Sequence, residues 1–217
     1  MQLNLPQKET IVNLFPVPVY LSNLGRSFTS DELSIFKNVL DTTMVKNKEN
    51  EISSQKRLLD LPGLENLKEF LQTSLNSYFQ KIIFPKHECT PYITISWLNT
   101  SKPGESHHRH YHPNSFISGV LYVDVVNDID RFILFRNDRN GVFNSGLTFE
   151  GSAEANEYNA DMANIMVRNG MLVMFPSSLE HCVPPVETDK HVRISLAFNS
   201  YVKGVISDAD AASLELQ

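Results

Sequence analysis

Only two cysteines, Cys89 and Cys182, stand in 217 residues, and no C-x-x-C pair is present. That excludes a disulfide framework and favours a reducing compartment, so a cytoplasmic location is expected. No run of 18 apolar residues occurs, which excludes a helical membrane span. No long basic run occurs either, and the formal net charge is −6. Non-specific binding to nucleic acid therefore lacks its electrostatic footing. The opening MQLNLPQKET lacks the charged-then-apolar order of a signal peptide. Neither an internal repeat nor a low-complexity stretch is present. What remains is an ordinary globular composition, 41% hydrophobic and 20% charged, long enough for one well-filled core. A single domain over residues 1–217 is expected.

The apolar pattern changes character near residue 90. Before it, TIVNLFPVPVYLSNL is rich in strand formers but broken by Pro16 and Pro18, as suits an edge strand. SDELSIFKNVLDTTMVKN predicts a helix, with Ser30 as N-cap and Glu32 in its first turn. Leu33, Phe36, Val39 and Leu40 fall at helical spacing. Residues 49–63 are polar and read as loop. LENLKEFLQTSLNSYFQKIIF predicts a second helix, with Leu67, Phe70, Leu71, Leu75 and Phe79 on one side. After residue 90 come YITISWLN, FISGVLYVDV, RFILFRN, GVFNSGLTF, NIMVRN, MLVMFP and VRISLAFNSYV, which are short, β-branched or aromatic, and separated by turn residues. Residues 151–163 read as a polar irregular insertion, and SDADAASLELQ as a frayed tail or short helix. The fold class expected is mainly β with α: a jelly roll over about 90–203, one sheet backed by a helical support at 28–82.

HHRHYH, residues 107–112, holds four of the seven histidines. In an extended segment side chains alternate, so His108, His110 and His112 point one way and His107 the other. Imidazoles at i and i+2 can share a metal ion, and four histidines are costly in a core unless something neutralises or ligates them. A solvated loop is the competing reading on spacing alone. His181 follows the apolar strand LVMFP, where a hydrogen-bonded structural histidine is as common as a ligand. Twelve residues on, Arg193, Ser195, Ala197 and Asn199 share one face of VRISLAFN, while Ile194, Leu196 and Phe198 share the other. The apolar face can lie beneath the helices, which turns Arg193 into the sandwich. A buried guanidinium needs an anion, either a ligand carboxylate or an internal partner such as Glu180 or Asp124. A His-x-His pair, a distant histidine and an arginine together suit non-haem Fe(II), among other metals.

With these parts in place, the chain resembles the 2-oxoglutarate-Fe(II) oxygenase family with the HxHPNSFxSGVxYV signature, a branch of the double-stranded β-helix dioxygenases. The matching stretches are NLFPVPVY, SWLN with a following Gly104, HYHPNSFISGVLYV, GMLVMFPSSLEHCVPP and VRISLAFN, spread from residue 13 to 199. The resemblance implies a jelly-roll core, Fe(II), and 2-oxoglutarate as co-substrate for oxidising a second substrate with O2. It maps the distal iron histidine onto His181 and the co-substrate arginine onto Arg193, with Ser195 beside it. Tyr122 lies where a tyrosine in similar enzymes reaches the distal carboxylate, and Ser118 shares its face. The wider superfamily uses His-x-Asp or His-x-Glu where this chain has His110-Tyr111-His112. The expected metal set is therefore His110, His112 and His181; Glu105, two residues before His107, is the carboxylate alternative. Three neutral imidazoles leave more positive charge on Fe(II), which favours an anionic co-substrate.

The expected activity is hydroxylation of an unidentified substrate, a small molecule or a peptide side chain, with release of succinate and CO2. Trp97, Asn99 and Asn114 are candidate lining residues, and the loops at 136–141 and 151–163 candidate shapers of the entrance. A peptide-hydroxylase reading rests on fold analogy. A cupin-type dioxygenase that does not use 2-oxoglutarate, and a non-catalytic jelly-roll binding module, are the alternatives. A homo-oligomer could form through the N-terminal edge strand, within the limits Pro16 and Pro18 impose.

Overall fold

The computed structural model describes residues 11, 16–127, 129–135, 154, 156–207 and 214–216. Its elements are β1 (Tyr20–Asn23), α1 (Ser30–Thr42), β2 (Met44–Asn47), β3 (Asn50–Ser53), α2 (Glu65–Ile82), β4 (Cys89–Ser101), β5 (His107–His110), β6 (Ile117–Asp124), β7 (Arg131–Phe135), β8 (Met162–Met166), β9 (Met171–Pro176), β10 (His181–Val183), β11 (Arg193–Ser207) and β12 (Leu214–Leu216). Two antiparallel sheets result. The larger runs β1-β9-β6-β11-β4-β3-β2, with β12 on the far end of β11, and the smaller runs β5-β10-β7-β8. The fold is a jelly roll with α1 and α2 on the outer face of the large sheet, as expected.

The alternation along β11 sets these layers. Leu196 and Phe198 are fully buried against Leu67, Leu71, Leu75 and Phe79 of α2 and Phe36 and Val39 of α1. The opposite face of the large sheet gives Tyr122, Val173 and Phe175 to a second apolar cluster, which Phe132 and Leu134 complete from the small sheet. α2 has no side-chain cap at its start. Its four buried apolar side chains, worth about 1.5–3 kcal/mol each, outweigh the ~1 kcal/mol of a missing cap.

Gly119, in the SGV stretch of β6, is demanded by this packing. A Cβ built there would lie 2.3 Å from the Phe198 ring across the β6–β11 pair.

Several expectations on the helical side shift. The cap of α1 is Thr29 rather than Ser30. Its hydroxyl accepts from the Glu32 N–H, and the Glu32 carboxylate accepts from the Thr29 N–H, a complete capping box. The helix stops at Thr42, because residues 44–53 form the β2–β3 hairpin instead of continuing it or lying in a loop. Leu58 and Leu59, inside the stretch read as polar loop, are buried beneath the sheet. The C-terminal LEL pairs as a strand with β11. GVFNSGLTF and the 136–141 loop lie outside the described residues. Of the 151–163 stretch, Asn156–Asn159 form a turn and Met162 opens β8.

Candidate metal centre

Three histidines converge at the mouth of the sandwich. His110 ends β5 and His181 opens β10, and the two are paired residues on neighbouring antiparallel strands, ring centroids 4.3 Å apart. His112 follows β5, its N–H donating to the Ser177 carbonyl at 2.9 Å. Its ring lies parallel to that of His181, at 5.0 Å, with their Nε2 atoms 3.2 Å apart. One ring nitrogen from each of the three lies within 4.8 Å of the others.

Two further contacts set the tautomers. The His110 Nδ1–H donates to the His108 carbonyl at 2.7 Å, and the His181 Nδ1–H to the Leu179 carbonyl at 3.0 Å. Each leaves its Nε2 lone pair free to ligate. Burial holds the His181 imidazole well below the usual histidine value and takes His112 down to about 4; His110 shifts the same way for the same reason. The three are therefore neutral donors near pH 7. Among the described residues no carboxylate joins them. Glu105 is turned to the Lys102 N–H, and Asp124 is exposed on the helix side of the large sheet.

Strict alternation fails at His107. Three residue steps of β5, from His107 to His110, face two steps of β10, from Val183 to His181, so the strand carries an extra residue. The bulge brings His107 onto the His110 side, their rings stacked at 4.3 Å, instead of pointing the opposite way. Burial lowers His107 to about 3, with neighbouring histidines and Arg193 adding to the shift. His108 stays beside this stack but outside the converging set.

His107 leads to the second half of the site. With Asn50, Asn99, Ser101, Tyr122, Val183, Arg193 and Ser195 it lines a small polar cavity between the sheets. Arg193 is 4% exposed. Its Nη1 donates to Asp130 Oδ1 at 2.9 Å and its Nη2 to the Pro184 carbonyl at 3.0 Å. Asp130 is itself fixed by the Val126 N–H at 2.8 Å. The internal partner is thus Asp130, not Glu180, which pairs with Arg109, and not Asp124. The Tyr122 hydroxyl is buried and has no hydrogen-bond partner among the described residues. Ser195 and Asn99 sit side by side across β11 and β4. Ser118 is elsewhere: its hydroxyl bonds Ser177 at 2.8 Å and Asn199 at 2.9 Å, and it is not part of the cavity wall. Asn114 occupies an exposed turn with φ 58°.

Residues 95–199 match the family model described as "Putative 2OG-Fe(II) oxygenase". Over those residues the chain matches the 2OG-Fe(II) oxygenase family. The oxygenase is similar in structure to an oxidoreductase of the 2OG-Fe(II) oxygenase family from Burkholderia pseudomallei, at 13% identity over 84% of this chain and 83% of that one, TM-score 0.54. It is also similar to a prolyl-4-hydroxylase from Pseudomonas putida, at 16% identity, 84% and 92% coverage, TM-score 0.51. A third likeness is HygX from Streptomyces hygroscopicus, crystallised with nickel and 2-oxoglutarate, at 12% identity, 85% and 82% coverage, TM-score 0.53. At these identities the likenesses establish the fold. No curated protein sequence matches the chain.

The residues present fit the iron and the co-substrate of this family. Two donors bound about 2.1 Å from one ion at a right angle stand ~3 Å apart, close to the 3.2 Å between the His112 and His181 Nε2 atoms. The unpartnered Tyr122 hydroxyl and the remaining N–H groups of Arg193 suit a carboxylate. The cavity is of water size in this state, so a carboxylate enters it only with some side-chain adjustment.

The residues that sequence reasoning missed are Asp130, His107 and Asn50. Asp130 is one of three aspartates in VDVVNDID, and nothing local distinguishes it. For His107, strict alternation predicts the opposite face, and the bulge in β5 turns it to the His110 side.

Proposed function

We propose that His110, His112 and His181 hold Fe(II), and that Arg193, Tyr122 and Ser195 receive the distal carboxylate of 2-oxoglutarate. The enzyme would then hydroxylate a second substrate, releasing succinate and CO2. The observation that carries this reading is the placement of the neutral, Nε2-directed imidazoles beside a cavity holding a buried arginine and an orphan tyrosine hydroxyl.

Bound Fe(II) supplies the activation of O2 coupled to decarboxylation of the keto acid. The chain's own residues orient and shield. Arg193, held from behind by Asp130 and Pro184, presents a preset fork to the co-substrate. Phe132 and Phe175 wall the His181 ring with apolar surface and exclude water there. Ser118 acts at the His112 end through Ser177, whose carbonyl takes the His112 N–H, and Asn114 turns the chain just beyond. Residues 1–217 are read as a single oxygenase domain.

No described helix is long and apolar enough to cross a membrane. The free thiols of Cys89 and Cys182 support a reducing, cytoplasmic setting. The substrate is proposed as a small molecule or peptide; a further structural neighbour, a prolyl hydroxylase from Trichoplax adhaerens at 13% identity and TM-score 0.52, is in complex with a peptide fragment.

The test is anaerobic titration of apo-protein with Fe(II) and then 2-oxoglutarate, followed by visible absorption. A weak charge-transfer band is expected in wild type, absent in His110→Ala and His181→Ala. Iron binding without the band would overturn the 2-oxoglutarate reading in favour of a dioxygenase that uses no keto acid. Absence of iron binding would overturn the metal centre.

A further inference from the structure

Lys56 sits where a substrate rather than the co-substrate would be met. The chain after β3 runs alongside β4, with the Lys56 carbonyl accepting the Ser96 N–H at 2.9 Å and Arg57 bridged to Ser96. From this anchor the Lys56 ammonium reaches over the Trp97 ring, 5.6 Å from its centroid. The Trp97 ring lies 6.0 Å from that of His112. One indole therefore separates the lysine from the metal histidines.

The strand register tells which side of the metal this is. Arg193 pairs with Ser101, Ser195 with Asn99 and Ala197 with Trp97. Walking along β4 from Ser101 passes the arginine cavity first and reaches Trp97 four residues later, roughly 13 Å on. Lys56, beside residue 96, is at the Trp97 end of β4, next to His112 and away from Arg193. The cavity that suits 2-oxoglutarate is at the other end.

The lysine also lacks a counter-charge. It is half-buried, no carboxylate pairs with it among the described residues, and burial alone lowers its ammonium below the usual lysine value. A half-buried cation without a partner is a cost, and an aromatic platform offsets only part of it. A ligand anion would offset the rest. One lysine on one ring, without an arginine cluster, suits a carboxylate better than a phosphate, which draws more donors.

We propose that Lys56 and Trp97 form a substrate subsite for a carboxylate, so that the oxidised compound is a carboxylic acid held on the side of the metal away from Arg193. This rests on the proposed iron reading and deepens it to a substrate class. The oxidised carbon then lies within about one indole's reach of that carboxylate.

Trp97 is the chain's only tryptophan, so its emission reports the subsite. Protein loaded anaerobically with Fe(II) and saturating 2-oxoglutarate is titrated with N-acetylglycine, its neutral amide, and phenyl phosphate. N-acetylglycine is expected to change the emission saturably and the amide not. Lys56→Met should weaken the acid by about tenfold or more, the scale of one charge-assisted hydrogen bond, with the charge-transfer band and 2-oxoglutarate affinity unchanged. Lys56→Arg should restore much of the binding. Equal responses to acid and amide, no saturable response, or an unchanged Lys56→Met titration would each overturn the subsite. Tighter, Lys56-dependent binding of phenyl phosphate would overturn the carboxylate assignment. Loss of the band with the acid titration intact would sink the iron reading and leave the anion subsite standing.

Discussion

Arg193 donates to Asp130 across 2.9 Å with both side chains buried, 4% and 3% exposed. The guanidinium proposed for the co-substrate is thus neutralised before any ligand arrives. This gives it one orientation, and it leaves the three imidazoles as the neutral half of a site without a carboxylate among its proposed metal ligands.

Removing Asp130 should be costly. Asp130→Ala leaves an arginine buried without its counter-ion, and breaking such a pair typically costs about 3–5 kcal/mol. Urea unfolding should show a loss on that scale, with 2-oxoglutarate affinity reduced because Arg193 is no longer aimed. A change under 1 kcal/mol, with unaltered affinity, would show that Pro184 and the surrounding packing suffice.

Tyr122→Phe should separate stability from binding. The hydroxyl is buried without a partner among the described residues, so its removal relieves a desolvation cost of about 1–3 kcal/mol. The apo-protein should be as stable as wild type or more so. Its 2-oxoglutarate affinity, read from the charge-transfer titration, should fall by about tenfold. A destabilised apo-protein with normal affinity would mean that the hydroxyl serves the fold.

Gly119→Ala tests the SGV stretch. The added methyl meets the Phe198 ring at 2.3 Å, and overpacking of this kind costs about 1–3 kcal/mol. Shortening the neighbour in Gly119→Ala/Phe198→Leu should recover part of that loss in thermal unfolding. Additive losses in the double variant would place the strain elsewhere.

Glu32 gives a pH dependence. Arg26 bonds its carboxylate, with the Thr29 contacts adding to the effect, and holds it below the usual carboxylate range. The unfolded chain binds that proton more tightly than the native one, so this contribution is present above about pH 4.5 and is lost as pH falls through the native value. Thermal melts from pH 7 to 3 should fall less steeply in Glu32→Gln, which starts lower because the capping box is weakened, by about 1 kcal/mol. Parallel profiles would rule out Glu32 as a source of acid sensitivity.

The partition between what was legible in sequence and what was not follows the range of the interactions. Period and local chemistry act over a few residues. They placed the apolar faces of α1 and α2, the two faces of β11 and the edge character of β1. Motif order singled out His110, His112, His181 and Arg193, and the structure brings the three imidazoles within 4.8 Å of one another. The hairpin at 44–53 escaped because its residues are mostly polar and its strands short, so pairing with β4 rather than propensity makes it.

The partners of those residues needed the tertiary structure. His107 changed faces because one extra residue in β5 shifts its register against β10, and no property of HHRHYH reveals a mismatch between strands. Asp130 became the counter-ion of Arg193, from 63 residues away, because the turn leading into β7 meets the start of β11. Lys56 met Trp97 because the stretch after β3 docks beside β4. Sequence by itself determined which side chains could do chemistry and which faces had to be buried, since both are local consequences of residue type and period. Which charge faces which was decided only when distant strands came into register.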